Sequence, residues 1–188
     1  MTLTELMIAL ALVVIAGGWC LASIAPETKL AQEESAARFV VTQIRQARQE
    51  ALQRATTVGV RFEPEDRFRT YADGNNNGLR TRDIDDATDA PVGPARRLDD
   101  DFGAGVNFGI ASALPPIESG GERLDAGADP IHVGTSRIVS FGPNGRGSSG
   151  TVYVRGRGGQ QFAVRIFGQT GRVRLLQYRV ADGQWIER

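Results

Sequence analysis

Side-chain oxygens alternate at Asp73, Asn75 and Asn77, just ahead of Gly78, in the stretch Asp73-Gly-Asn-Asn-Asn-Gly-Leu79. An EF-hand-like loop begins this way. Carboxylate and amide oxygens are hard ligands that suit Ca²⁺, and the glycine permits the turn. Leu79 would add its carbonyl oxygen. The closing acid is off register: Asp83 falls one place before, and Asp85 one place after, the twelfth position where a bidentate Glu is usual. An Asn/Gly-rich surface turn explains the same residues without a metal. A bound ion here would fix a loop and take no part in catalysis.

A second group is basic. Arg155, Arg157, Arg165, Arg172 and Arg174 fall in strand-like C-terminal runs. Alternate residues of a strand share a face, so Arg172 and Arg174 point together. Such a pair suits phosphate contacts, or simply marks an exposed charged strand edge. Support for catalysis is thin. The single His132 rules out a multi-histidine metal site and reads as structural, and no Gly-x-Ser-x-Gly elbow is present. The single Cys20 forbids an intramolecular disulfide. We therefore expect no enzymatic activity. Lys plus Arg and Asp plus Glu are each 22, so no global basic excess points to nucleic acid or an anionic membrane.

Glu5 poses a different problem. It is the only charged side chain between residue 1 and Pro26. As a helix, residues 1–25 would rise about 37 Å, against a hydrocarbon core of roughly 30 Å. A signal peptide needs a basic start, which is missing. A lipoprotein leader ending at Cys20 needs small residues before the cysteine, where Trp19 stands. An ordinary anchor leaves Glu5 without a role, although a carboxylate inside a bilayer is costly unless paired or protonated. The α-amine of a processed Met1 would supply a partner. It lies about a turn away in one helix, or meets Glu5 of a staggered neighbouring copy. The two buried charges then offset each other only in the correct register, which makes Glu5 an assembly device.

These residues carry a resemblance. Met1-Thr2-Leu3-Thr4-Glu5-Leu6 resembles the mature N-terminus of type IV pilins and pseudopilins, with Met in place of the usual Phe. Ala47, Arg48, Glu50, Ala51 and Arg54, followed by a strand from Val58, are similar to the helix-to-strand passage of GspH/FimT-type pseudopilins. Phe141, Pro143, Gly145, Gly150, Thr151, Val152 and Thr170-Gly-Arg-Val-Arg174 match the C-terminal half of that family. Residues 63–135 are not covered well. The resemblance implies that a prepilin peptidase cuts ahead of Met1 and methylates it, so the numbering starts at the mature end. It implies an α+β pilin-like fold, with a long N-terminal helix packed on a small antiparallel β-sheet body. It also implies a minor pseudopilin or minor pilin, in a type II secretion pseudopilus or a type IV pilus. Such a subunit sits single-pass in the bacterial inner membrane with its body in the periplasm. It then joins other subunits through the hydrophobic helix at an inner-membrane assembly platform. Some FimT-type minor pilins bind DNA during natural transformation through Gly-Arg-x-Arg, which Gly171–Arg174 matches, so a DNA-binding minor pilin is the alternative. The family usually places a Pro near position 22, where this chain has Ala22. Gly17-Gly18 would loosen the helix instead.

Three segments should position these groups: an apolar half-helix 1–25, an amphipathic half-helix 26–55 and a β-rich body 56–188. Pro26 punctuates the apolar run. Ala37, Val40, Val41, Ile44, Ala47, Ala51, Leu52 and Ala55 recur at helical spacing and predict a face packed on a sheet, with Arg45, Arg48 and Arg54 solvated on other faces. Strands are predicted at 58–62, 67–71, 105–110, 138–141, 151–155, 161–167 and 172–178, the last two joined by a hairpin over Gly168–Gly171. Acidic residues 85–101 read as a solvated loop, and 111–130 as a long irregular connection able to meet a partner.

Overall fold

The computed structural model describes residues 2–64, 66–118 and 120–188, without the side chains of residues 14–30. Helix α1 (Leu3–Arg54) runs unbroken for 52 residues, about 78 Å at the usual rise. Its backbone stays helical through Pro26, so the two expected half-helices form one rod. A proline removes one backbone donor, and here the helix continues past it. The periodicity of the second half is met at Ala37, Val40, Val41, Ile44, Ala47 and Ala51, all buried, with Ala36 beside them. Leu52 and Ala55 leave the pattern and are exposed, because the helix ends there. Ala55 adopts the left-handed conformation (φ 52°) and turns the chain toward the first strand.

That strand is β1 (Val58–Phe62), followed by β2 (Arg67–Ala72), α2 (Thr81–Asp85), β3 (Ala90–Pro91), β4 (Arg96–Arg97), α3 (Leu98–Phe102), β5 (Asn107–Phe108) and β6 (Ile131–His132). The rest of the body is β7 (Ile138–Phe141), β8 (Gly150–Arg155), β9 (Gln161–Phe167), β10 (Arg172–Arg179) and β11 (Gln184–Glu187). All strand pairings among the described residues are antiparallel. One sheet has the order β3-β2-β1-β7, with β4 also on β2. The other has the order β11-β10-β9-β8, with β5 and β6 sharing the far side of β8. The molecule has the α+β pilin-like fold, with α1 lying against both sheets. Ile44, Val40, Phe141, Val60, Phe162 and Ile166 are fully buried where helix and sheets meet.

Two connections differ from expectation. The acidic stretch 85–101 is not one solvated loop. Leu98 is fully buried and starts α3, whose first turn holds Asp99, Asp100 and Asp101, where carboxylates favour free N–H groups. The irregular connection 111–130 lies on the outer face of the second sheet. Leu114 and Leu124 bridge to each other and pack with Ile110, Tyr153 and Ala163. The Trp185 indole N–H donates to the Pro115 carbonyl at 3.0 Å. This cover explains why β8 and β9 bury consecutive residues instead of alternating.

Asp66, in the β1–β2 turn, has φ 60° and accepts the Phe108 N–H at 3.1 Å. Burial raises its carboxyl pKa above the usual value of 3.8, against the lowering effect of that hydrogen bond and of Arg97. A raised folded pKa means the ionised form is penalised. The contribution to stability is full below the unfolded pKa and is lost as pH rises through the folded one. Asp66→Asn keeps the acceptor and tolerates the left-handed backbone. Chemical denaturation should show it more stable than wild type at pH 7, with the difference disappearing in acid.

Candidate interaction surfaces

The start of α1 is apolar and uncovered by the body: Leu3, Met7, Leu10 and Val13 are between 66% and 79% exposed. Glu5 occupies the third position of the first turn, and its Oε2 accepts the Thr2 N–H at 3.4 Å, one arm of a capping box. In the single chain this carboxylate therefore satisfies its own helix terminus. Met1, the expected processing site and source of the partnering amine, lies outside the described residues. Among the described residues no helix is long and apolar enough to cross a membrane. Much of the expected span falls in the stretch 14–30, whose side chains are outside that set.

The loop after β2 opens as its residue types require. Asp73 Oδ1 accepts the Asn75 N–H at 3.1 Å and Oδ2 the Gly78 N–H at 2.7 Å, while Asn75 Oδ1 accepts the Asn77 N–H at 3.1 Å. Gly78 takes φ 86°, which a side chain would resist. In the second half of the loop several groups have partners within the chain. Asp85 turns away to pair with Arg61 at 2.7 Å. The Asp83 carbonyl accepts the Thr88 and Asp89 N–H groups. The Leu79 side chain packs with Tyr71, Ile84 and Ile138. Asp89 closes the loop instead. It is fully buried and accepts the Gly74 N–H at 3.0 Å and the Arg80 N–H at 3.4 Å. Among the described residues no three or more His, Cys, Asp or Glu side chains gather where an ion would be shared. Asp73, Asn75 and Asn77 thus shape the turn through hydrogen bonds, while Asp85 is drawn to Arg61.

The arginines separate into two groups. Arg157 donates to the Ala104 carbonyl, and Arg165 donates to Thr151 Oγ1 and Glu118. Arg172 and Arg174 share the outer face of β10. Arg174 stacks over Phe167 at 5.4 Å, and Glu187 lies 3.8 Å and 3.6 Å from the two guanidiniums. Gly171 before them is required by packing. Its φ is 65°, and a Cβ would run into the Gly145 carbonyl and the Arg48 side chain. Arg48 is not solvated as expected: it donates to the Gly145 carbonyl at 3.0 Å and the Thr170 carbonyl at 3.4 Å. Arg45 likewise donates to the Val173 carbonyl at 3.1 Å. Helix periodicity marks both as off the buried stripe, and nothing in it shows that their long side chains reach the sheet. His132 is exposed, with its ring edge-on to Tyr153 at 5.6 Å.

A long helix laid on two antiparallel sheets, with its apolar start left uncovered, defines a pilin-like subunit. The family model described as type II transport protein GspH matches residues 36–171, and the chain belongs to that family. The matched span includes the region 63–135 that the sequence resemblance left out. Comparisons with curated proteins and with solved structures give no match.

Two outcomes are expected. Asp89→Ala strands two backbone donors and should cost about 1–3 kcal/mol in denaturant titrations. Gly171→Ala should cost about 1–3 kcal/mol by the same measurement, from left-handed strain and the lost approach of Arg48.

Proposed function

We propose that this chain is a minor, non-enzymatic subunit of a type II secretion pseudopilus. It waits in the bacterial inner membrane with its body in the periplasm, is processed and methylated at Met1 by a prepilin peptidase, and enters the filament at the assembly platform through α1. The observation that carries this reading is the exposed apolar start of α1. Leu3 to Val13 has no cover from its own body, and apolar surface of that extent needs a bilayer or neighbouring helices. Glu5 sets the register. Its bond to Thr2 N–H is exchanged on assembly for the terminal amine of a neighbour, so that neither charge enters the apolar interior alone. A type IV pilus is the other filament consistent with this helix.

A second reading, a DNA-binding minor pilin, is favoured by Arg172 and Arg174 standing side by side on one strand face, with side chains 60% and 37% exposed. The Glu187 carboxylate between them works against phosphate.

Glu5→Gln and Glu5→Ala should each lower incorporation into sheared filaments at least tenfold while leaving the folded body intact, as read by immunoblot of the filament fraction. Incorporation at native levels would overturn the assembly role of Glu5. Mass spectrometry of the mature chain should find a methylated Met1.

A further inference from the structure

Zero net charge hides a segregation. Residues 137–188 carry nine arginines against two acids, whereas residues 63–101 carry eleven acids against six arginines. The fold gathers part of the basic excess in one groove. β11 pairs with β10 only from Leu176 to Arg179, so among the described residues Arg172–Arg174 have β9 on one side and no strand on the other. α1 runs beside this open edge. Two confluent depressions of about 490 and 260 Å³ lie between them, sharing Arg45, Val173 and Glu187. Arg38, Arg45 and Arg48 line them from the helix, and Arg172, Arg174 and Arg188 from the sheet. Glu187 is the one carboxylate among the lining residues described.

We propose that this groove receives an acidic, extended segment of a partner protein, which continues the line of β11 along the open edge of β10. Three observations carry this. First, the chain already shows the binding mode: β11 is a strand on this edge, and it places the Glu187 carboxylate between Arg172 and Arg174. Both distances exceed hydrogen-bond reach, and the buried Nε of Arg174 has no hydrogen-bond partner, so the pair has capacity for a closer carboxylate. Second, the edge carbonyl of Val173 accepts from the Arg45 guanidinium, a bond that an added strand's N–H would replace, turning Arg45 to the incoming carboxylates. Third, Arg38 is held by Glu34 and Arg48 by the Gly145 carbonyl, so the basic wall is fixed before a ligand arrives. A strand edge offers main-chain hydrogen bonds to a peptide, whereas nucleic acid has no matching backbone.

The test uses the full chain in detergent micelles. It is titrated with a fluorescent peptide of alternating Glu and Val, with its alternating Lys and Val counterpart, and with a duplex DNA oligonucleotide, read by anisotropy and amide hydrogen exchange. The acidic peptide should bind, the basic one should not, and exchange should slow at residues 172–175. Arg172→Glu with Arg174→Glu should weaken binding at least about tenfold, and Arg172→Gln with Arg174→Gln less so, with the thermal midpoint confirming that each variant is folded. The proposal is overturned if the acidic peptide does not bind, if both peptides bind equally, or if DNA binds and the acidic peptide does not. Undiminished binding to a folded double variant, or binding without protection at 172–175, would overturn it as well.

Discussion

Neither sheet closes its own inner face; α1 does so for both. Ile44 and Val40 are the fully buried side chains through which the helix meets Phe141 and Val60 of one sheet and Phe162 and Ile166 of the other. Burying side chains of this size contributes on the order of 1.5–3 kcal/mol each. The same rod then leaves the body toward its N-terminus. A helix bound by its second half and free at its first is thus imposed by the core. The amphipathic half cannot detach without opening both sheets.

The parts of the fold legible in the sequence are those whose period survives into the structure. Ile138–Phe141 and Gln161–Phe167 form strands with the bounds their β-branched and aromatic runs suggest, and the Gly168–Gly171 turn joins β9 to β10. Ala37 through Ala51 keep the helical period because one face meets a sheet. Legibility fails where a residue is positioned by something distant. Leu98 sits in an acidic run and reads as loop, yet it is fully buried, and a short helix forms around it. Asp89 lies beyond the twelve residues of an EF-hand-like loop, so its role in closing the turn is invisible until the chain folds back on Gly74 and Arg80. Asp85 has the right type near the right position, but Arg61 captures it from a neighbouring strand.

The Gly-Arg-x-Arg motif shows how one short sequence can carry two constraints. Its glycine answers to the helix: Arg48 donates to the Gly145 carbonyl and passes close over Gly171, which therefore has no room for a Cβ. Its arginines answer to the surface, since Val173 between them points inward to the core and leaves them outward on the same face. A match to the motif is thus partly a match to the packing of helix on sheet. That is one physical reason for the pattern to persist in a pilin-like body whether or not phosphate is ever bound.

In the proposed function, Glu5 joins local folding to assembly. A carboxylate at the third helical position near free N–H groups stabilises the first turn and accepts the Thr2 N–H. The acid is therefore not idle before a neighbour arrives. Its capping bond to the Thr2 N–H holds the terminal turn in order. The proposed assembly would then replace water around an already oriented group, instead of ordering a flexible one, which lowers the entropic cost of docking. An aliphatic residue at position 5 would remove the cap as well as the charge, whereas glutamine would keep an acceptor for Thr2 and lose only the charge. The difference between those two substitutions separates what Glu5 does for its own helix from what it does for the next subunit.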